Sequence, residues 1–168
     1  MPGSLFPLSR LLLVAALLLS TAAIPAAARL GETVANLKDR FGRAPERESP
    51  KNMAVWFVES VDGVLVYTAT LNAKGFIIAE GIKPLKRAVL TTEIVKDFLQ
   101  DQIKPHADSK TSRIVPAGEK YEFAQQSFVC AKDEWVLVDE PNGLLLIWSR
   151  TGIPSVMAIS PEMLLPKS

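Results

Sequence analysis

The chain has 168 residues, with 19 basic and 18 acidic side chains, one cysteine and one histidine. Residues 1–28 carry one arginine and no acid, so residues 29–168 are electrically neutral, which argues against a nucleic-acid partner and against electrostatic attachment to an anionic membrane. A single cysteine excludes an internal disulfide, and one cysteine with one histidine nearly excludes a zinc site built from those residue types. We therefore expect no metal and no cofactor.

The N-terminal segment has the layout of a secretory signal peptide. Arg10 precedes an apolar run from Leu11 to Leu19, and a stretch of small residues ends at Ala28. The run is too short to cross a bilayer, which takes about 20 apolar residues. We expect cleavage near Ala28, which leaves residues 29–168 as a single exported domain, periplasmic or secreted, without a stable membrane anchor.

A helix is predicted directly after this segment. Val34, Leu37 and Phe41 recur at the spacing of one helical face, and Gly42 stands where a helix often ends in left-handed backbone. Residues 43–52 are charged and contain two prolines, which predicts a loop.

Three strands follow in the pattern of an antiparallel meander. Asp62-Gly63 and residues 72–75 are turn signals that separate strands predicted at 54–59, 64–71 and 75–80, after which residues 81–87 leave the sheet. The first strand is apolar on both faces. It is therefore either central and covered on both sides, or part of an interface.

The second helix is the best-marked element of the chain. Thr91 or Thr92 caps it, an apolar stripe runs to Ile103, and Pro105 ends it. Four or five further strands are predicted after it, at 121–125, 128–131, 134–139, 144–150 and 155–159. Because the strands come in runs, the order predicts an α+β fold, in which an antiparallel sheet (a meander plus C-terminal hairpins) packs with two main helices.

Two short motifs bracket the first helix, Leu30-Gly31-Glu32-Thr33 before it and Phe41-Gly42-Arg43-Ala44-Pro45 at its end. In these motifs and the meander that follows, residues 30–80 resemble the SmpA/OmlA-type small envelope proteins of bacteria, and the β-lactamase-inhibitor-protein fold is similar in outline. The resemblance implies a non-enzymatic, protein-binding module of the cell envelope.

Aromatic side chains on the predicted strands are the candidate binding residues: Trp56, Tyr67, Trp135 and Trp148. Such residues either fill the core between sheet and helix or, on an exposed face, form a patch that binds a protein or a glycan. The sequence thus favours a binding module for a protein or a cell-envelope component, and it predicts no oligomeric state.

Two other interpretations stay open. Cys130 lies in an apolar segment, as either a buried inert thiol or a reactive one, and Asp97 and Asp101 lie four residues apart on the second helix. With either feature the chain would be a small hydrolase or thiol enzyme. A third interpretation is a structural subunit whose strand edges pair in an oligomer.

Overall fold

The computed structural model describes residues 30–49, 52–106 and 110–165, and the predicted signal peptide lies outside these ranges. Within them the chain forms three α-helices: α1 (Val34–Phe41), α2 (Thr92–Ile103) and α3 (Pro161–Leu164). It also forms ten strands: β1 (Arg47–Ser49), β2 (Met53–Ser60), β3 (Gly63–Leu71), β4 (Ile77–Pro84), β5 (Arg113–Val115), β6 (Lys120–Phe123), β7 (Gln126–Val129), β8 (Glu134–Asp139), β9 (Leu144–Ser149) and β10 (Ser155–Ile159). Over these ranges no helix has the length and apolar character that a membrane span requires.

Eight of the strands form one antiparallel sheet in the order β1-β2-β3-β4-β10-β9-β8-β5, and β6 and β7 form a separate hairpin. The predicted α+β class with an antiparallel sheet is confirmed. The predicted meander is β2-β3-β4, and the predicted C-terminal hairpins include β6-β7, β8-β9 and β9-β10. The last strand, β10, joins the two halves of the sheet, because it pairs with β4 on one side and with β9 on the other.

Both main helices begin at their predicted caps, and α1 also ends at its predicted one. Thr33 forms a capping box with Asn36 at the start of α1, and Gly42 ends that helix in left-handed backbone with φ of 63°. Thr91 caps α2, with its hydroxyl oxygen accepting from the backbone N–H of Ile94 at 3.4 Å.

Several strands differ from the prediction. The strands predicted at 121–125 and 128–131 are Lys120–Phe123 and Gln126–Val129, because Ala124 and Gln125 form the turn between them in left-handed backbone. β4 continues through Gly81 to Pro84, where the sequence predicted that the chain leaves the sheet. Glycine suits this position because β10 passes so close that a Cβ at Gly81 would lie 3.0 Å from the Val156 carbonyl oxygen. The short edge strands β1 and β5 were not predicted, because each is only three residues long, too short for an alternating pattern, and pairs with a longer strand, β2 or β8.

Each face of the sheet has its own apolar core. The inner face packs against α1 and α2, which contribute Leu37, Ile94, Val95 and Phe98 to the larger core. On the outer face, the β6-β7 hairpin covers β8 and β9 through a second core that includes Phe123 and Cys130.

The β2 edge is protected where β1 no longer covers it. The carboxylate of Glu46 accepts a hydrogen bond from the Phe57 N–H at 3.1 Å, and the Arg43 guanidinium donates to the Phe57 carbonyl oxygen. Arg43 and Glu46 also pair with each other. Side chains thus occupy the backbone groups that a neighbouring strand would use.

Candidate functional site

The structure places all four candidate aromatic residues in a single row that crosses the sheet. Direct cross-strand partners connect β2, β3, β4, β10, β9 and β8 in the order Trp56, Tyr67, Ile82, Val156, Trp148, Trp135. Directly opposed residues of an antiparallel pair share a face, so these six side chains lie together on the inner face. We refer to them as the tryptophan row.

One end of the tryptophan row is closed. Trp56 has no exposed surface and Tyr67 is only 2% exposed. The Phe41 ring from α1 stacks on Trp56 with centroids 5.0 Å apart, and the indole N–H donates to the Arg43 carbonyl oxygen at 3.3 Å. The expectation that Trp56 and Tyr67 contribute to an exposed patch therefore needs correction, because both side chains belong to the core.

The other end is open to solvent. Trp135 and Trp148 are half-buried, with one side of each packed against the larger core. The Arg150 guanidinium lies 5.7 Å from the centre of the Trp148 ring, and its Nε donates to the Asp133 carbonyl oxygen at 3.3 Å. The turn that follows carries Ile153, which is 68% exposed. We call Trp135, Trp148, Arg150 and Ile153 the open aromatic surface.

This surface presents two indole rings, a guanidinium and an aliphatic side chain. Such groups bind by stacking, by apolar contact and by charge-assisted hydrogen bonds from the guanidinium. The four side chains therefore offer stacking, apolar and hydrogen-bonding contacts on one surface.

Cys130 does not reach this surface or solvent. It is 1% exposed at the end of the β6-β7 hairpin, in the outer core, with its Sγ 3.6 Å from the Ala131 carbonyl oxygen. Burial, and secondarily the nearby Glu134 carboxylate, raises the pKa of the thiol, whereas a nucleophilic cysteine needs a lowered one. The interpretation of Cys130 as a reactive thiol therefore needs correction, because its side chain is buried.

The acidic pair on α2 forms no evident catalytic site. Asp97 is exposed, and Asp101, one helical turn later, is half-buried. Among the described residues, no three His, Cys, Asp or Glu side chains are grouped in a way that could hold a metal ion.

Sequence reasoning did not identify the most perturbed acid, Glu80. It lies on the inner face of β4, 3% exposed, where the Tyr67 hydroxyl and the Gln102 amide of α2 both donate hydrogen bonds to its carboxyl oxygens. Burial raises the pKa of Glu80 to about 8, although the two hydrogen bonds act in the opposite direction. The sequence offers one indication of this position. Glu80 lies two residues before Ile82, so in a strand both side chains point to the same face, and Ile82 is apolar and faces the core.

Comparison of the chain with protein-family models, with characterised proteins and with solved structures finds no match. The resemblance of residues 30–80 to SmpA/OmlA-type proteins therefore stays a prediction.

Proposed function

We propose that this chain is an exported, non-enzymatic binding protein that holds a protein or another cell-envelope component on its open aromatic surface. The observation that carries the proposal is the contrast within the tryptophan row. Phe41 of α1 covers the Trp56 end, whereas Trp135 and Trp148 are only partly buried and Arg150 lies over the Trp148 ring.

The composition of the open aromatic surface supports this proposal. Tryptophan and arginine are the residue types most enriched at the energetic centres of protein interfaces, and both also stack on flat ligands. Trp135 and Trp148 are held by their direct pairing across β8 and β9, so binding would cost little conformational entropy. Export remains part of the proposal and depends on the layout of residues 1–28.

The enzyme interpretation has less support. Cys130 is buried with a raised pKa, and the buried Glu80 carboxyl has hydrogen-bond partners from both β3 and α2. Neither group borders the open aromatic surface, so nothing in that surface performs the proton transfers of hydrolysis.

Site-specific photo-crosslinking in cells that carry the gene tests the proposal. A photoreactive phenylalanine replaces Ile153 on the open aromatic surface or, as the control, Val129, which is 56% exposed on the β6-β7 hairpin. We expect a discrete crosslinked product from position 153 that disappears when Trp148→Ala is added. The same cells should contain a processed chain beginning near residue 29 in the periplasm or the medium.

The control position separates specific binding from general stickiness. Equal products from positions 153 and 129, no product at all, or a product that survives both Trp148→Ala and Trp135→Ala would each contradict the binding site. A chain that stays in the cytoplasm with residues 1–28 attached would contradict export.

A further inference from the structure

The turn between β8 and β9 contains a chemically labile dipeptide. Asn142 is exposed at the end of a single 3₁₀ turn (Glu140–Asn142), and Gly143 follows it in left-handed backbone with φ of 64°. Glycine has no side chain to shield its amide nitrogen, so this nitrogen is the least hindered nucleophile that can follow an asparagine. The sequence has four asparagines, and Asn142 is the one that precedes a glycine.

The reaction open to this dipeptide is deamidation through a cyclic imide. The Gly143 nitrogen forms a bond to Cγ of Asn142 while the bond from Cγ to Nδ2 breaks, and the proton of the attacking nitrogen leaves with the amino group as ammonia. Water then opens the imide at either of its carbonyl groups. One product is aspartate, and the other is isoaspartate, which adds a methylene group to the backbone. In both products a carboxylate has replaced the amide, without a change of oxidation state.

The hydrogen bonds that must open before this reaction lie at the surface. The Gly143 N–H donates to the Glu140 carbonyl oxygen at 2.9 Å, and the Asn142 Nδ2–H donates to Asp139 at 2.9 Å. Glu140 and Asn142 are both exposed, so water reaches the turn. The exposed bonds of a single turn break by local fluctuation, without unfolding of the core. The fold therefore slows the reaction without preventing it.

The surroundings of Asn142 make its deamidated form unfavourable. The amide donates to Oδ2 of Asp139, which has no exposed surface, and Oδ1 of the same carboxylate accepts from the Thr111 hydroxyl at 2.6 Å. Deamidation replaces the donor by a second carboxylate, so Asp139 loses a hydrogen bond and gains a neighbouring like charge. Because Asp139 ends β8 and Thr111 precedes β5, the change acts where the turn is tied to the edge of the sheet.

We propose that Asn142 is a site of spontaneous deamidation in the folded protein, and that Asp139 makes the product less stable than the parent chain. The co-reactant is water, and the reaction does not depend on the function proposed for the open aromatic surface. Asn142 then limits how long the turn between β8 and β9 keeps its native hydrogen bonds.

Ageing of the full chain, purified as cells that express the whole gene deliver it, tests the site. The protein is incubated in a mildly alkaline buffer, either folded or unfolded in guanidinium chloride, and peptide mass spectrometry follows each asparagine. We expect the mass change of deamidation at Asn142 in both samples, more slowly in the folded one. Asn36 and Asn52 are the matched controls, because both are exposed but precede Leu37 and Met53. They should stay unchanged over the same period.

Substitutions test the role of Asp139, with urea unfolding followed by circular dichroism as the measurement. Asn142→Asp reproduces one product and should raise the unfolding equilibrium constant at least about tenfold, the loss expected for a hydrogen bond to a charged group. Asn52→Asp adds the same charge at another exposed position and should change the constant less than about threefold. Adding Asp139→Asn to Asn142→Asp should recover part of the loss, because the pair again has one amide and one carboxylate.

The proposed site is wrong if Asn142 stays unchanged in the folded protein after it has converted completely in the unfolded one, or if Asn36 and Asn52 convert equally fast. The role of Asp139 is wrong if Asn142→Asp is as stable as Asn52→Asp, or if Asp139→Asn recovers nothing.

Discussion

Both ends of the tryptophan row carry tryptophan on the same face of the same sheet, but the two ends differ in burial. Trp56 is covered by Phe41 of α1 and lies edge-on to Tyr67 at 6.0 Å, whereas Trp135 and Trp148 are only partly buried. Strand position does not explain this, since β2 and β8 each lie second from an edge of the sheet. The difference comes from what covers each end, because the Phe41 ring of α1 stacks on Trp56, whereas the Arg150 guanidinium lies over the ring of the partly buried Trp148.

The largest effect is expected when the tryptophan at each end of the row is truncated to alanine. Trp56→Ala should lower the free energy of unfolding by about 3–5 kcal/mol, because it leaves a large cavity beneath Phe41. Trp148→Ala should cost about 1–2 kcal/mol, because a half-exposed side chain loses less buried area. Urea unfolding followed by circular dichroism measures both. Equal losses would mean that both ends are closed in solution.

The buried carboxyl group of Glu80 should make the free energy of unfolding depend on pH. Its pKa in the folded protein, about 8, lies above the ordinary value of 4.5, so between these values the folded state holds a proton that the unfolded chain releases. The contribution of Glu80 is therefore complete below its ordinary pKa and is lost as the pH rises through 8. At up to about 1.4 kcal/mol per pH unit, the free energy of unfolding should fall by about 2.5 kcal/mol between pH 5 and pH 7.

Glu80→Gln isolates this effect, since it keeps the shape of the side chain and removes the titration. Urea unfolding at several pH values should give the variant a flatter dependence than the parent protein. If both proteins lose stability equally over this range, Glu80 is not protonated in the folded state.

The smallest effect concerns the cap of α1. Thr33→Ala removes one half of the capping box and should cost about 1 kcal/mol. Because α1 holds Phe41 against Trp56, the change should also raise acrylamide quenching of Trp56, measured in a background where Trp135 and Trp148 are phenylalanine.

Thr91→Ala is the matched control, since it removes the cap of α2 and leaves α1 intact. It should lower stability by a similar amount without increasing the quenching of Trp56. Equal quenching in the two variants that lack a cap would mean that general loosening, and not the release of α1, exposes this tryptophan.

Much of the fold was predictable because its signals are local. The spacing of Val34, Leu37 and Phe41, the caps at Thr91 and Gly42, and the turn at Asp62-Gly63 all act within a few residues. The edge strands β1 and β5 were not predictable in this way, because each has only three residues and becomes a strand by pairing with a longer neighbour. The end of β4 depended likewise on how closely β10 approaches Gly81.

The candidate site was predictable only in part. The sequence identified Trp56, Tyr67, Trp135 and Trp148 as one group of strand aromatics, and the register of six strands places them in one row. It left open whether each is buried. It also did not point to Glu80, whose partners come from another strand and from a helix 22 residues further along the chain.

The sequence by itself determined the two main helices and the approximate positions of the main strands, because these follow from periodicity and backbone preferences over short distances. Only the tertiary structure decided that Trp56 and Cys130 are buried and that Trp148 is partly exposed. It also decided that Gln102 donates a hydrogen bond to Glu80. Burial depends on which layer covers a face, and a local pattern carries no information about the element that arrives from elsewhere in the chain.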